Sequence, residues 1–348
     1  MDAARATLML LGLVVHAGSL AASFQTITNA GPDDIAIGLS IFAHNFRMPA
    51  FFLVSGILAG LLIAKRGVAG FWLQRRRRLL YPLIAATVTI VPLTYWVENI
   101  QVSGPADLFT AGFGHLWFIE YLLLFSLTLM LIFQIPAVRR AGNKDAPKRD
   151  LGIWIVNPGS IGLLIALTFF IPDWFGAESS ALTPSSALFP PIGLFLFYLV
   201  FFLFGTVICR YIFSALKWMR RFALSYLAIG VIAFAYYASF IWGGVNQEFS
   251  KLAYVTSTWM LSMAIIAIAL ILAKRENRLV KYLSDASYWV YLIHLPIMVA
   301  LQRWFAQLHL GVALSFWISL PLVFGISIGL YHLMVRDRFI GNLLAGKL

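Results

Sequence analysis

Apolar residues occur along this chain in long, nearly unbroken runs, without the strict alternation of a half-buried strand or the narrow stripe of a soluble amphipathic helix. The runs cover residues 6–22, 35–62, 79–97, 116–135, 152–171, 192–209, 222–242, 254–273, 288–305 and 312–335. Each approaches the roughly 20 residues a helix needs to cross a hydrocarbon layer of about 30 Å. The pattern therefore predicts about ten transmembrane helices. A barrel would show segments of about ten residues with alternating polarity, whereas a continuously apolar segment satisfies its backbone in lipid only as a helix. The predicted class is all-α: a polytopic integral membrane bundle, one domain over residues 1–348.

Charge orients the bundle. With the N-terminus in the cytoplasm, all 26 lysines and arginines fall in inner loops except Lys251 and Arg303 outside and Arg47 within a span. This is the asymmetry of the positive-inside rule, and it places both termini in the cytoplasm. Composition agrees: 61% of residues are hydrophobic and 11% charged, which excludes a soluble globular enzyme and a disordered chain. The single cysteine, Cys209, excludes a disulfide scaffold and a multi-cysteine metal site. A net charge of +12 would suggest nucleic acid in a soluble protein. Here the run Arg75, Arg76, Arg77 and Arg78 reads as an orientation signal in contact with lipid headgroups, so membrane lipid is an expected partner and nucleic acid is not. Arg5, the apolar residues 8–15 and the small residues 17–22 imitate a cleaved signal peptide. His16 in the apolar stretch, and the charge alternation that removal would spoil, favour a retained first span. The connections 136–151 and 172–191 are too short for a folded domain, and no internal repeat is evident.

Ionisable side chains at bilayer depth are costly and usually face a polar interior with a partner. The runs hold few: His16, His44, Arg47, Glu120 and His294, with His115 at an outer helix end. Arg5 and His16 are eleven residues apart, three helical turns and about 16 Å of rise, so they share one face of the first helix. Asp2, three residues before Arg5, can hold its guanidinium. His44 and Arg47 share a face at i and i+3. Arg47 cannot be deprotonated in practice and needs an anion, either a ligand or Glu120, the one intramembrane carboxylate able to serve. Pro49 loosens the same helix, and Ser55-Gly56 permits close packing. His115, Trp117 and Glu120 open the fourth span; Tyr291 and His294 stand at i and i+3 in the ninth, followed by Pro296. Plainer readings compete: a core histidine at 16, an inner-side anchor at Arg5, a packing ion pair between Arg47 and Glu120, an interface anchor at Trp117. No metal-ligand motif is present, and no metal is expected.

These residues resemble the acyltransferase 3 superfamily of membrane-embedded O-acyltransferases, and more narrowly the glucan biosynthesis protein C group. Asp2-Ala3-Ala4-Arg5 with His16 matches an opening pattern of Asp-x-x-Arg followed eleven residues later by His. The stretch from Phe42 through His44, Arg47, Pro49 and Ser55 to Gly56 is similar to the second-span signature. Residues 75–82, His115-Leu116-Trp117-Phe118 and Tyr291-Leu292-Ile293-His294-Leu295-Pro296 are similar to later ones. The resemblance implies transfer of a succinyl or acetyl group from cytoplasmic acyl-CoA, a co-substrate with no other cofactor, to a hydroxyl of an extracytoplasmic glucan or lipid-linked saccharide. It implies a multi-pass protein of the bacterial cytoplasmic (inner) membrane. On this reading the donor phosphates dock at the basic inner face with Arg5 as one contact, and His16 is the general base. Arg47 and His44 stabilise the oxyanion or hold a succinyl carboxylate, and Glu120 orients Arg47 or a histidine. Asp2, His115, Trp117, Tyr291 and His294 contribute to substrate binding. Two other classes stay open. A secondary transporter or flippase would use the same His, Arg and Glu groups, although the two related halves it predicts are not evident. A non-catalytic scaffold would tolerate apolar residues at His16 and Arg47.

Overall fold

A computed structural model describes residues 2–26, 34–99, 113–136, 151–174, 190–243, 247–272 and 278–346. Its regular elements are all helical. In chain order the α-helices are α1 (Asp2–Thr26), α2 (Asp34–Arg75), α3 (Tyr81–Glu98), α4 (Trp117–Gln134), α5 (Gly152–Val156), α6 (Pro158–Trp174), α7 (Ile192–Arg210), α8 (Ile212–Arg221), α9 (Ala223–Gly243), α10 (Gln247–Leu272), α11 (Arg278–Gln307), α12 (Val312–Leu330) and α13 (Phe339–Leu344). A π-turn, Arg76–Leu80, joins α2 to α3; a second, Tyr331–Val335, follows α12; a 3-10 turn, Gly114–Leu116, leads into α4.

Among the described residues six helical stretches are long and apolar enough to cross a membrane: Ala3–Phe24, Ile35–Glu98, Gly114–Gln134, Ile192–Arg210, Phe249–Leu272 and Val312–Val335. A seventh results if α8 and α9, bent by 62°, are counted together. The chain is thus a multi-pass helical bundle, with a coarser count than the ten runs suggest, for three physical reasons. The 35–62 and 79–97 runs belong to one 64-residue stretch. At about 1.5 Å per residue this is far longer than one crossing, and it is interrupted at Gly67, whose φ of 68° most residues avoid. The 152–171 run is divided: Asn157 is extended before Pro158, as pre-proline sterics favour, and its Oδ1 accepts the Gly159 N–H at 2.8 Å. That leaves Pro158–Ile171 short for a span. The ninth run lies inside α11, whose first turns carry Arg278, Lys281 and Asp285. The connector residues Arg139, Arg140, Lys144, Lys148 and Arg149, and also Lys274, Arg275 and Lys347, lie outside the described residues.

Helix α2 is central, packing on α7, α1, α10 and α4. Its crossing with α7 uses small residues. A Cβ on Gly56 would meet the Phe202 carbonyl oxygen, and one on Gly205 the Leu53 carbonyl oxygen; Gly60 faces Cys209. Without Cβ atoms the two backbones touch, which is how membrane helices gain dispersion energy where no water is expelled. Beside this crossing Phe52, Tyr121, Phe125, Tyr198 and Phe202 form an aromatic cluster that ties α4 to α2 and α7.

Proline sets the polar contacts that aim the site. Pro49 has no N–H to give the Asn45 carbonyl four residues earlier, and the Thr258 hydroxyl donates to that carbonyl at 3.3 Å. Ser262 does the same for Phe46 at 3.3 Å, and Ser257 donates to the Asn45 side-chain oxygen at 3.1 Å. These bonds fix the rotation of α2 against α10 just before Arg47. Pro296 likewise leaves the Leu292 carbonyl without its helical donor, and His115 Nε2 donates to it at 3.0 Å. The Tyr291 hydroxyl returns a bond to the His115 carbonyl at 2.6 Å, so the 3-10 turn and α11 are doubly latched.

Candidate active site

Three helices present i, i+3 or i+4 stripes toward one another. On α1 the stripe is Arg5, Met9, Gly12 and His16; on α2 it is Arg47, Phe51, Ser55 and Leu58; on α11 it is Lys281, Ser284, Tyr288, Tyr291 and His294. Between them lies a succession of cavities. The first, about 480 Å³, is lined by the basic Arg5, Arg78, Arg278, Lys281 and Arg336, which outnumber the acidic Asp285 and Asp337, with Tyr282, Tyr288 and Tyr331, and α13 forms part of its wall. The second, about 350 Å³, shares Arg5, Arg78 and Tyr288 with the first, adds Lys65 and Arg75, and continues between Ser55, Leu58 and Ile119. The third is narrow, about 10 Å³, shares Met9, Phe51 and Phe118 with the second, and ends at Gly12, Arg47, Tyr291 and His294. A strongly basic mouth therefore leads along an increasingly apolar corridor to a buried guanidinium and an imidazole.

At the blind end the groups are close. The His16 and His294 ring centroids are 5.1 Å apart, those of His115 and His294 5.7 Å. His44, His115, His294 and Arg47 all lie within electrostatic range of His16. Arg47 is buried and its Nε has no hydrogen-bond acceptor among the described residues. Its guanidinium reaches α1 at Gly12, where a Cβ would strike Nη1. Tyr291 and Tyr198 are the polar side chains whose charge would bear on it. Among the described residues no carboxylate is set against it, and a buried cation so placed is costly, so the arrangement favours a ligand that brings or develops negative charge there. His294 Nδ1 donates to the Tyr291 and Val290 carbonyls, at 2.7 and 3.1 Å. This leaves Nε2 as a lone pair, buried and without a donor among the described residues. Among the described residues no group of three or more His, Cys, Asp or Glu side chains is arranged to hold a metal ion.

The structure thus brings together His16, His44, Arg47, His115, Tyr291 and His294, and sets Arg5 at the mouth of the same corridor. It corrects the pairing of Glu120 with Arg47. Glu120 lines a separate cavity with Leu80, Leu83, Thr87 and Leu123. The reason is helical rotation: Phe118 faces the Arg47 cavity, and a side chain two residues further on points about 200° around the axis. Trp117 packs in the aromatic cluster, edge-on to Tyr121 at 5.2 Å and tilted against Tyr198 at 6.0 Å, and lines none of the three cavities. His115 and Tyr291 bond to each other's elements and so brace the site, and Tyr291 also lines the third cavity. The side chain of Asp2 lies outside the described residues. Sequence reasoning missed Gly12, Met9, Phe118 and Tyr288. The signal for the first two was present, since they continue the Arg5 to His16 spacing.

Comparison with known proteins follows the same lines. The family model described as an acyltransferase domain matches residues 1–332. The chain is 25% identical over 383 residues to the glucans biosynthesis protein C of Escherichia coli O81 (strain ED1a), covering 100% of this chain and 94% of that protein. It is also 25% identical over 385 residues to the protein of the same name from Escherichia coli (strain K12 / DH10B), with the same coverage. No solved structure matches.

Proposed function

Because the chain belongs to the acyltransferase domain family and is an O-acyltransferase, we propose that it moves an acyl group from cytoplasmic acyl-CoA to a hydroxyl of an extracytoplasmic glucan. The observation that carries this reading is the corridor. Its basic mouth suits the phosphate-rich end of the donor, and its narrowing apolar course suits a pantetheine arm bearing a thioester. Its end supplies a cation and imidazoles. Phe51, Phe118 and the flexible Met9 close the last passage, so entry of the acyl arm requires their side chains to move.

In the proposed chemistry His16 removes the hydroxyl proton as the oxygen attacks the thioester carbonyl. Arg47 stabilises the resulting oxyanion with its buried guanidinium, and the proton returns to the departing CoA sulfur. The glucan acceptor follows the name of the relatives, and the acyl group is succinyl or acetyl. The same reading assigns ten crossings, both chain ends and the Arg5–Arg78 mouth to the cytoplasm, and the protein to a bacterial inner membrane.

The test is to supply the purified full chain, reconstituted in liposomes, with labelled succinyl-CoA or acetyl-CoA and a glucan oligosaccharide. Label is expected on the glucan, and His16→Ala should abolish it while donor binding persists. Arg5→Ala should raise the donor KM. Movement of unmodified glucan across the bilayer by wild type and His16→Ala alike, with no labelled product, would instead identify a carrier.

A further inference from the structure

We propose that His294 is the positioning imidazole for His16: its Nε2 accepts the His16 N–H, presents the opposite nitrogen of His16 to the hydroxyl, and stabilises the positive charge that His16 gains. The inference rests on the acyl-transfer reading above, and three observations support it.

The tautomer of His294 is dictated by its own helix. Two carbonyl oxygens, of Tyr291 and Val290, face Nδ1, so the proton resides there and Nε2 is an acceptor. That acceptor is unsatisfied although His294 is only 2% exposed, and a buried lone pair without a donor is uncommon enough to need an explanation. Two of the other polar neighbours have commitments. His115 gives its Nε2 proton to Leu292, and the Tyr291 hydroxyl bonds to the His115 carbonyl. His16 is half-buried, with its ring centroid 5.1 Å from that of His294 and the ring planes at 50°. A rotation of this less confined ring brings an N–H onto Nε2.

The proton balance is closed. The hydroxyl proton passes to His16 as the oxygen attacks the thioester carbon. The imidazolium is held by its hydrogen bond to His294 while the carbon–sulfur bond breaks, and the proton then leaves with the CoA thiol. His294 lines the third cavity, and in this scheme it acts on the reaction through His16.

Arg47 is the other donor at the end of the corridor, and the experiment separates the two. His294→Asn keeps a donor for the Tyr291 carbonyl but offers nothing at the Nε2 position; His294→Gln sets a carbonyl oxygen near that position. In the reconstituted full chain, kcat for label transfer should fall about a hundredfold in His294→Asn, the lower end for loss of acid–base assistance. The donor KM should be unchanged, and His294→Gln should recover a substantial part of the rate. In an Arg47→Lys background His294→Asn should still lower the rate by about tenfold or more, because the two act on different atoms, although neighbours in one site are not strictly additive. Full activity of His294→Asn would mean a structural histidine and overturn the proposal. So would a His294→Asn loss that vanishes in Arg47→Lys, since His294 would then serve Arg47. Label transfer by the wild type reads the parent function separately: if it occurs and these variants fail to respond as stated, only the role of His294 falls.

Discussion

Gly12→Ala replaces one hydrogen by a methyl group, yet it should act on catalysis much more than on folding. An ideal Cβ at position 12 lies well inside contact distance of Arg47 Nη1 and 3.6 Å from Arg47 Cζ. Carbon and nitrogen at rest prefer about 3.5 Å or more, so the guanidinium has to retreat by roughly 1 Å. The obstacle is the far end of a flexible side chain, not backbone, so the fold has an easy way to yield. The usual overpacking cost of about 1–3 kcal/mol is relieved by that movement and offset by the roughly 1 kcal/mol that alanine gains over glycine inside a helix. The melting temperature should shift by only a few degrees. The reaction has no such escape, because a displacement of about 1 Å in a positioned charge costs on the order of a hundredfold in rate. The assay pairs thermal unfolding of the detergent-purified protein with the initial rate of acyl transfer at saturating donor and glucan. A rate within about threefold of wild type would refute the placement of Arg47 against α1 and, with it, the proposed oxyanion contact.

Other substitutions probe the supports. Pro296→Ala restores a helical N–H for the Leu292 carbonyl and so competes with His115 Nε2 for it; the rate should drop about tenfold with no loss of melting temperature, and unaltered kinetics would argue against the latch. Gly205→Leu drives side-chain atoms into the Leu53 carbonyl and the Gly56 Cα. Because the obstruction is backbone, destabilisation of about 3 kcal/mol or more is expected, read as loss of folded protein by size-exclusion chromatography. Glu120→Gln should leave kcat within about threefold of wild type, as Glu120 faces a cavity that Arg47 does not line; a loss of a hundredfold would restore the pairing expected from sequence.

Much of this architecture is a local property of the chain. Continuous apolar runs demand helices because lipid offers the backbone no other donor or acceptor, and helices occur in every run. The candidate chemistry was equally legible, because ionisable groups in such runs are few and each is costly. His16, His44, Arg47, His115 and His294 stand out from the sequence, and all meet at one place. Pro49 and Pro296 were visible too, although which hydroxyl and which imidazole take their freed carbonyls was not.

What the tertiary structure alone decided is rotation and partnership. A helix that is apolar on every side carries no strong marker of the face it turns inward, and each residue turns the side chain by about 100°. Glu120 therefore looked available to Arg47, whereas its helix, fixed by the aromatic packing of Tyr121 and Phe125 on Phe52, turns it elsewhere. The corridor between three striped helices likewise depends on contacts distant in sequence, whereas the division of the fifth run at Asn157 and the break at Gly67 are local backbone effects. Composition tells a segment to enter lipid, and short-range spacing tells which side chains share a face. Only packing of one helix against another chooses which faces meet, because that choice is settled by close contacts such as Gly56 on Gly205 and Gly12 on Arg47.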